Sequence, residues 1–373
     1  MGSKNIVEHF SDVPDPREDN SSHRLIDIIA IAICASICGA DTWNDIEQFA
    51  HAKRRWLEGF LELPHGIPSH DTFSRVFARL DPRALNERFD SWIAELRGDN
   101  DGGVVSIDGK TSRRSHDRSH GRSALHTVSA WAHDAGLVLA RQAVDEKSNE
   151  ITAIPQLLEI LELSGCVVTI DAIGTQTNIA EQIVDADGDY VLALKDNQHT
   201  LHEEVCEYFE GIEEVSDLPE HIDYDKSVDT GHGRIEVREC WASEDIGWLE
   251  SKSKWKNLKS ICMVKSVRTI GEQTSETTTR YFITSLPADA QRLAAVIRSH
   301  WSIENSLHWV LDIAFREDEC RKRKDNSAEN FSILRHLTLN LLKREKNCKR
   351  SIKGKRLLAG WDESYLEKVL FGV

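Results

Sequence analysis

The chain has 373 residues, of which 40% are hydrophobic and 29% charged, and its formal net charge is −16. This length predicts more than one domain, and the composition is that of a folded globular protein and excludes general disorder. The eight cysteines show no CxxC spacing, which argues against a disulfide scaffold and indicates a reducing, cytoplasmic location.

The longest apolar run, 25–40, is interrupted by Asp27. It is shorter than the roughly 20 residues that cross a bilayer, so no membrane partner is expected. The acidic excess is concentrated in residues 203–225, which contain ten Asp or Glu and no Lys or Arg. Three stretches are basic: 110–122, 321–324 and 343–356. Such runs are often solvated surface, but a phosphate partner would also require them.

Residues 1–100 are predicted to form a small all-α domain, because their apolar residues recur with a spacing near 3.6. Helices are expected at 25–38, 43–60, 73–80 and 85–96. Ser69 or Asp71 is a suitable N-cap for the third helix, which carries Arg75. Two roles remain open for this helix: reading a DNA groove, and packing inside the helical domain.

After a polar linker at 98–103 the pattern changes to short strand-like runs. Strands are expected at 104–107, 124–132, 137–144, 167–170 and 190–194, and helices at 151–163 and 177–184. Three strands followed by alternating helices and strands predict a mixed sheet with helices packed on it. This is the element order of an RNase H-like core, and residues 101–200 are assigned to its first part.

The second half of the chain is divided into three parts. Residues 201–284 lose the alternation of helices and strands and are predicted to be a β-rich insertion, with strands at 234–241, 261–267 and 277–284. Residues 285–346 complete the α/β core with helices at 288–315 and 326–346. Residues 347–373 are predicted to be a basic C-terminal tail.

Two aspartates come directly after apolar strands. Asp108 succeeds the strand 104–107, and Asp171 succeeds the strand 167–170. Parallel neighbouring strands would place both carboxylates at one sheet edge, where they repel unless a cation lies between them. Mg²⁺ binds a few carboxylates together with phosphate oxygens, and a pair of such ions suits phosphodiester chemistry. An aspartate that merely starts a loop is the alternative interpretation of each position.

A third carboxylate lies in the predicted helix 288–315. His300, Glu304, His308 and Asp312 recur every four residues and form a polar stripe. The stripe either faces solvent or completes the carboxylate site. Two histidines and a glutamate on one face also permit a zinc hydrolase, although the spacing is not HExxH and no matching Cys or His pair is present.

Several segments have sequences typical of one family. They are 15–17, 38–41 and 66–77 in the helical part, and 107–110, 171–176, 194–198 and 300–305 in the α/β part. With these segments the chain resembles the transposases of the Rhs-element H-repeat family, within the DDE insertion-sequence transposases. The similarity extends over nearly the whole chain.

The resemblance implies an RNase H-like catalytic domain in which Asp108, Asp171 and Glu304 hold two Mg²⁺ or Mn²⁺ ions. It implies that the substrate is double-stranded DNA, at element ends and at the target, and that cleavage is followed by strand transfer. A homodimer or larger assembly is expected when two ends are synapsed. A catalytically inactive relic and a DNA-binding protein of the same fold are the alternatives.

The glutamate helix departs from a pattern found in many related DDE transposases. There a tyrosine is followed by an arginine three residues later, the glutamate four after that, and a lysine seven beyond. The corresponding residues here are Ile297, His300, Glu304 and Leu311, so only the glutamate matches. DNA contacts are instead predicted for ten basic positions, of which His300 alone belongs to that pattern: Arg75, Lys110, Arg113, Arg114, Lys195, Arg298, His300, His308, Arg321 and Arg323.

Overall fold

The computed structural model describes residues 6–17, 21–97, 102–117, 120–144, 148–210, 212, 218–231, 233–271 and 273–372. Within these ranges no helix combines the length and the apolar character that crossing a bilayer requires.

The first part of the described chain is helical, as predicted. Its helices are α1 (Ile6–His9), α2 (Leu25–Ile37), α3 (Trp43–Ala52), α4 (Arg54–Leu57), α5 (His70–Arg79) and α6 (Pro82–Arg97). Ser69 is the N-cap of α5, because its hydroxyl accepts a hydrogen bond from the backbone N–H of Thr72. The other candidate cap, Asp71, is inside the first turn of the helix.

One mixed sheet comes next in the chain. Its strands are β1 (Gly103–Thr111), β2 (His126–Ala132), β3 (Leu137–Ala143), β4 (Cys166–Ile170), β5 (Asp189–Leu194), β6 (Ile222–Gly231), β7 (Arg234–Ser243), β8 (Ser260–Ile270), β9 (Gln273–Thr274) and β10 (Thr278–Thr284). The strand order is β3-β2-β1-β4-β5-β10-β8-β7-β6, and β9 pairs with β8. Strands β1, β4 and β5 are parallel to each other, whereas β2 pairs antiparallel with both of its neighbours, β1 and β3. The first five strands therefore form the predicted RNase H-like core.

Strands from residues 201–284 extend this same sheet, because β10 pairs antiparallel with β5 and continues into β8, β7 and β6. Sequence reasoning missed helix α9 (His199–Glu210) and strand β6. Most of the helix and the first four residues of the strand lie within the acidic segment, where charged residues separate the apolar ones. The helix was recognisable from its apolar residues at four-residue spacing, which are buried: Leu201, Val205 and Phe209.

The remaining helices are α7 (Glu150–Glu159), α8 (Thr177–Asp185), α10 (Ala290–Ile303), α11 (Trp309–Phe315), α12 (Ser327–Arg344), α13 (Ile352–Trp361) and α14 (Glu363–Phe371). Helix α10 covers one face of the sheet, where Leu293 and Val296 share a buried cluster with Val167 and Val191. The opposite face belongs to a larger core that contains residues of α7, α8 and α12. Since α12 also packs against α2, α5 and α6, helices from both ends of the chain share that core.

Helix α5, the candidate recognition helix, packs into this core on one side. Phe73 and Phe77 are buried, and Asn330 of α12 donates a hydrogen bond of 2.8 Å to the carbonyl oxygen of Phe77. Arg75 is exposed on the other side and donates to the carbonyl of Asp71 in its own helix. Packing thus explains the apolar residues of α5 and leaves its basic face open.

The predicted basic tail at 347–373 is wrong, because its described part forms α13 and α14, which pack on α2 and α12. Arg356 is 5% exposed. Its guanidinium donates to the carbonyls of Ser36 and Ala314 and lies 3.3 Å from Asp41. These carbonyls are in the last turns of α2 and α11, where no partner is available inside the helix. The positive charge of Arg356 therefore stabilises the packing of these helices against one another.

Replacing Arg356 by Met should lower the free energy of unfolding by about 3 kcal/mol, because two helix-end carbonyls and Asp41 lose a buried cationic partner. Urea denaturation measures the change. Arg350→Met is the matched control, since Arg350 is exposed just before α13, and its effect should stay within about 0.5 kcal/mol. Equal stability of the two variants would contradict this role.

Candidate active site

The parallel register of β1 and β4 brings two aspartates together. Ile107 lies opposite Ile170, and the residues directly after them are Asp108 and Asp171. Asp171 lies just past the end of β4, whereas Asp108 lies inside β1, which continues to Thr111 and does not end at 107 as predicted. The parallel register makes the two residues neighbours at the point where β4 ends. Asp171 also begins a tight turn, in which its carboxylate accepts a hydrogen bond of 3.1 Å from the backbone N–H of Ile173.

Glu304 reaches this edge from the helix that covers the sheet. The predicted helix 288–315 is a continuous run of α10, a π-helical turn at Glu304–His308, and α11. A π turn widens the helix locally and is frequent at functional sites. Nδ1 of His308 donates to Oε2 of Glu304 at 3.0 Å and lies 3.7 Å from Oδ2 of Asp108. The helix thus joins its glutamate to the first aspartate through a histidine.

Ligand atoms of Asp108, Glu304 and His308 all lie within 4.8 Å of one another. The carboxylates of Asp108 and Glu304 supply the oxygen donors that Mg²⁺ or Mn²⁺ binds. His308 donates from Nδ1 to Glu304, so its part in this group is to orient that carboxylate. Asp171 is outside this closest group. His300 is not in this group of ligand atoms, and its Nδ1 is hydrogen-bonded to the Thr169 hydroxyl at 3.0 Å. The zinc face with two histidines is therefore not formed among the described residues.

Asp108 is surrounded by other carboxylates at the sheet edge. Burial raises the pKa of Asp108 to about 7, and the negative charges of Asp171, Glu150 and Glu304 contribute, although the backbone N–H of Gly109 opposes the shift. Like charges at this separation favour retention of a proton or capture of a cation.

Asp171 behaves in the same way. Its pKa is raised by burial and then by the charge of Glu150, while the backbone N–H groups of Gly174 and Ile173 and the charge of Lys195 lower it. Lys195 is exposed at the carboxyl end of β5. It is therefore a nearby positive charge on the solvent side of the site.

His308 and Lys110 lie beneath the carboxylates. The side chain of His308 is 5% exposed, and burial lowers its pKa despite the opposing charge of Glu304, which leaves the imidazole neutral at pH 7. Burial also disfavours the charge of Lys110, but Glu317, Asp312 and other acidic groups outweigh burial and raise its pKa. Its Nζ lies 2.8 Å from Oδ1 of Asp312. Neither residue has the exposed position that a predicted DNA contact requires.

The other predicted DNA contacts differ in their surroundings. Burial lowers the pKa of His300 to about 4, so this residue is neutral. Arg298 is half-exposed and pairs with Asp229 at 2.5 Å. Arg323 donates to the backbone carbonyl of Arg114 at 3.0 Å. Basic side chains on the surface are Arg75, Arg113, Arg114, Lys195, Arg298 and Arg321.

Sequence reasoning missed a network beside Asp108. The hydroxyl of Thr111 lies 2.7 Å from Nδ1 of His126, and Nε2 of His126 lies 2.7 Å from Oε1 of Glu150. These residues come from β1, β2 and α7 and form no sequence motif. The only sequence signal was a glutamate at the start of a predicted helix.

Models of two protein families match the chain. The model described as "Transposase DDE domain" matches residues 96–341, and the one described as "DDE_Tnp_1-associated" matches residues 7–93. The chain belongs to the DDE transposase family. The resemblance found in its sequence motifs is thereby confirmed.

Relatives support this membership over the full length. The transposase-family chain is 40% identical over 379 residues to the "H repeat-associated putative transposase YhhI" of Escherichia coli (strain K12), covering 100% of this chain and 99% of that protein. It is 38% identical over 374 residues to the "Putative transposase YncI" of Escherichia coli O157:H7, covering 99% and 95%. A piggyBac transposase in a synaptic complex with hairpin DNA has a TM-score of 0.45 and 9% identity, covering 97% of this chain and 78% of that one.

Asp108→Asn should remove a pH dependence from the stability of this DDE transposase in metal-free buffer. Since the pKa of Asp108 is raised on folding, its contribution is complete below the unfolded pKa and is lost as the pH rises through about 7. Between pH 5 and pH 8 the free energy of unfolding of the wild type should fall by about 2 kcal/mol more than that of the variant. Urea denaturation at both pH values measures this.

Asp12→Asn is the control for that comparison, because Asp12 is exposed and far along the chain from the site. Its stability should follow the wild-type curve. A parallel curve for Asp108→Asn would show that Asp108 ionises like an ordinary surface aspartate.

Proposed function

We propose that this protein cleaves phosphodiester bonds at the ends of a DNA element and transfers the freed 3′ end into target DNA. The observation that carries this proposal is the meeting of Asp108, Asp171 and Glu304 at one sheet edge in a chain of the DDE transposase family. Double-stranded DNA is the substrate, and the reaction takes place in the cytoplasm at the nucleoid.

In this proposal Asp108, Asp171 and Glu304 hold two Mg²⁺ or Mn²⁺ ions. When bound, such ions activate the attacking oxygen and stabilise the leaving oxygen of the phosphodiester. Asp108 is adjacent both to Asp171 through the strand register and to Glu304 through His308. Its raised pKa supports the proposal, because a carboxylate surrounded by other carboxylates is stabilised by cations.

The surface around the site supports contact with DNA. Lys195 is exposed, and its charge acts on Asp171. Arg113, five residues after Asp108, pairs with Asp318 at 3.2 Å while 82% of its side chain is accessible. Trp301, three residues before Glu304, is 48% exposed, and the guanidinium of Arg280 lies 4.5 Å from the centre of its ring. Exposed aromatic rings stack on bases, and arginine adds affinity for phosphate.

The helical part of the chain is proposed to help hold the DNA, through basic residues such as Arg75 on the open face of α5. Joining two element ends requires that both be held at once, so the active assembly is proposed to contain at least two copies of the chain. The proposed division into a helical part at 1–100 and a catalytic part interrupted by 201–284 rests on the same family reasoning.

Asp108→Asn should abolish cleavage, because it replaces the carboxylate that lies next to both Asp171 and Glu304 with a neutral amide. The measurement uses DNA that carries the sequences flanking the gene, with Mg²⁺, Mn²⁺ or EDTA. Wild type should nick at defined positions only with metal, and the variant should be at least about a thousandfold slower, with DNA affinity within a few fold of wild type.

Glu159→Gln is the matched control, since Glu159 is exposed at the far end of α7, and it should cleave normally. Unchanged cleavage by Asp108→Asn would sink the assignment. Specific binding by the wild type without any cleavage would instead favour the inactive relic or the DNA-binding protein.

His308→Asn should slow cleavage by about 10- to 100-fold, because the histidine orients Glu304 and acts through it. The loss should be partly recovered at high Mn²⁺ concentration, which a defect in DNA binding or in folding would not show. His51→Asn, an exposed histidine in α3, is the control. A loss that does not respond to Mn²⁺ would argue that His308 only supports packing.

A further inference from the structure

A fourth carboxylate lies at the same sheet edge, on the side away from α10. Glu150 is the first residue of α7, and α7 contributes to the core on the sheet face opposite α10. Its carboxylate rests against β1 at Gly109, since a Cβ atom built on Gly109 would lie 2.2 Å from Oε1 of Glu150. Gly109 is the residue after Asp108, so the absence of a side chain there makes room for the glutamate.

Glu150 is held by a relay of two hydrogen bonds. The carboxylate can only accept, so Nε2 of His126 carries the proton and donates to Oε1 over 2.7 Å. In the neutral imidazole Nδ1 is then an acceptor for the hydroxyl of Thr111 at 2.7 Å. Oε2 of Glu150 has no hydrogen-bond partner among the described residues. One oxygen is therefore fixed while the other is free to bind a ligand.

The charge of Glu150 reaches both aspartates of the site. It raises the pKa of Asp171, second only to burial, and it also contributes to the raised pKa of Asp108. The side chain is 16% exposed, so water screens this charge only partly. If the hydrogen bond between Glu150 and His126 only linked α7 to β2, a neutral side chain at position 150 could make it. A glutamate instead adds a fourth negative charge to those of the three site carboxylates, which is unfavourable without a cation.

We propose that Glu150 is a fourth carboxylate ligand of the divalent-cation site, and that His126 is the positioning residue that orients it. This inference rests on the proposed function, because it assigns a further ligand to the same cations. Glu150 would then be a ligand from α7 for the cation beside Asp171, whereas Glu304 is a ligand from the π turn that follows α10. The four carboxylates then come from β1, the end of β4, α7 and the π turn.

Glu150→Gln separates a ligand from a structural link, because glutamine keeps the acceptor for His126 and loses the charge. The full-length protein is titrated with Mn²⁺ alone by isothermal titration calorimetry, without DNA and without turnover. Affinity for at least one Mn²⁺ should fall about tenfold or more. Glu159→Gln, in the same helix about 14 Å further along its axis, should bind Mn²⁺ as the wild type does.

Gly109→Ala gives a second, independent test. Its methyl group would occupy the space of the Glu150 carboxylate and should displace it while leaving the charge in the protein. We expect a comparable loss of Mn²⁺ affinity, with a circular dichroism spectrum like that of the wild type.

Asp108→Asn, titrated in parallel, distinguishes the two levels of inference. Wild-type Mn²⁺ binding by Glu150→Gln, together with weakened binding by Asp108→Asn, would overturn the role of Glu150 and leave the proposed function standing. Equal binding by wild type and Asp108→Asn, or no saturable Mn²⁺ binding by either, would overturn both.

Discussion

Parallel pairing of β1 with β4 places two carboxylates at the same point of the sheet edge, and their repulsion is the constraint on which the site depends. Folding brings Glu304 and Glu150 to the same place from two different layers, which adds to the repulsion at Asp108. Such an arrangement costs stability in the absence of cations, since a buried carboxylate of raised pKa favours the protonated form. Retaining it is consistent with a site built for a ligand and not for stability alone.

The residues around these carboxylates divide into two groups. Neutral or paired groups lie on the protein side: His308 bonds to Glu304, and Lys110 is engaged by Asp312 and other acidic groups. An exposed cation, Lys195, lies on the solvent side. A phosphate backbone would therefore meet positive charge at the surface and carboxylates behind it, in a protein whose net charge is strongly negative.

Several basic residues are buried among the helices and are not on the surface. Helices from both ends of the chain pack in one core. The last carbonyl oxygens of each helix have no partner within the helix, so those that are buried at these junctions need another hydrogen-bond donor. Arg356 supplies such partners to α2 and α11, and Lys322 lies over the ring of Phe331 at 3.7 Å. Basic runs in this sequence thus contain both exposed residues and residues buried at helix junctions, and the sequence alone does not distinguish the two.

The sequence alone determined the elements of the α/β core and the elements that carry Asp108, Asp171 and Glu304. The predicted strand before Asp171 agrees with β4, whereas β1 continues past Asp108 to Thr111. The parallel register of the two strands is nevertheless sufficient to place Asp108 and Asp171 side by side. The helix that carries Glu304 was equally clear from its apolar periodicity. The family motifs implied which reaction to expect, but they predicted nothing about the positions of the side chains that the strand and helix patterns had not already indicated.

Tertiary structure decided the features that depend on residues far apart in the chain. The π turn at Glu304–His308 and the burial of His308 result from packing of the helix on the sheet. The position of Glu150 results from contacts of α7 with β1 and β2. A side chain's burial and partners are set by elements that local periodicity does not specify. For that reason the sequence could not separate the charges that lie on the surface from those that hold the helices together.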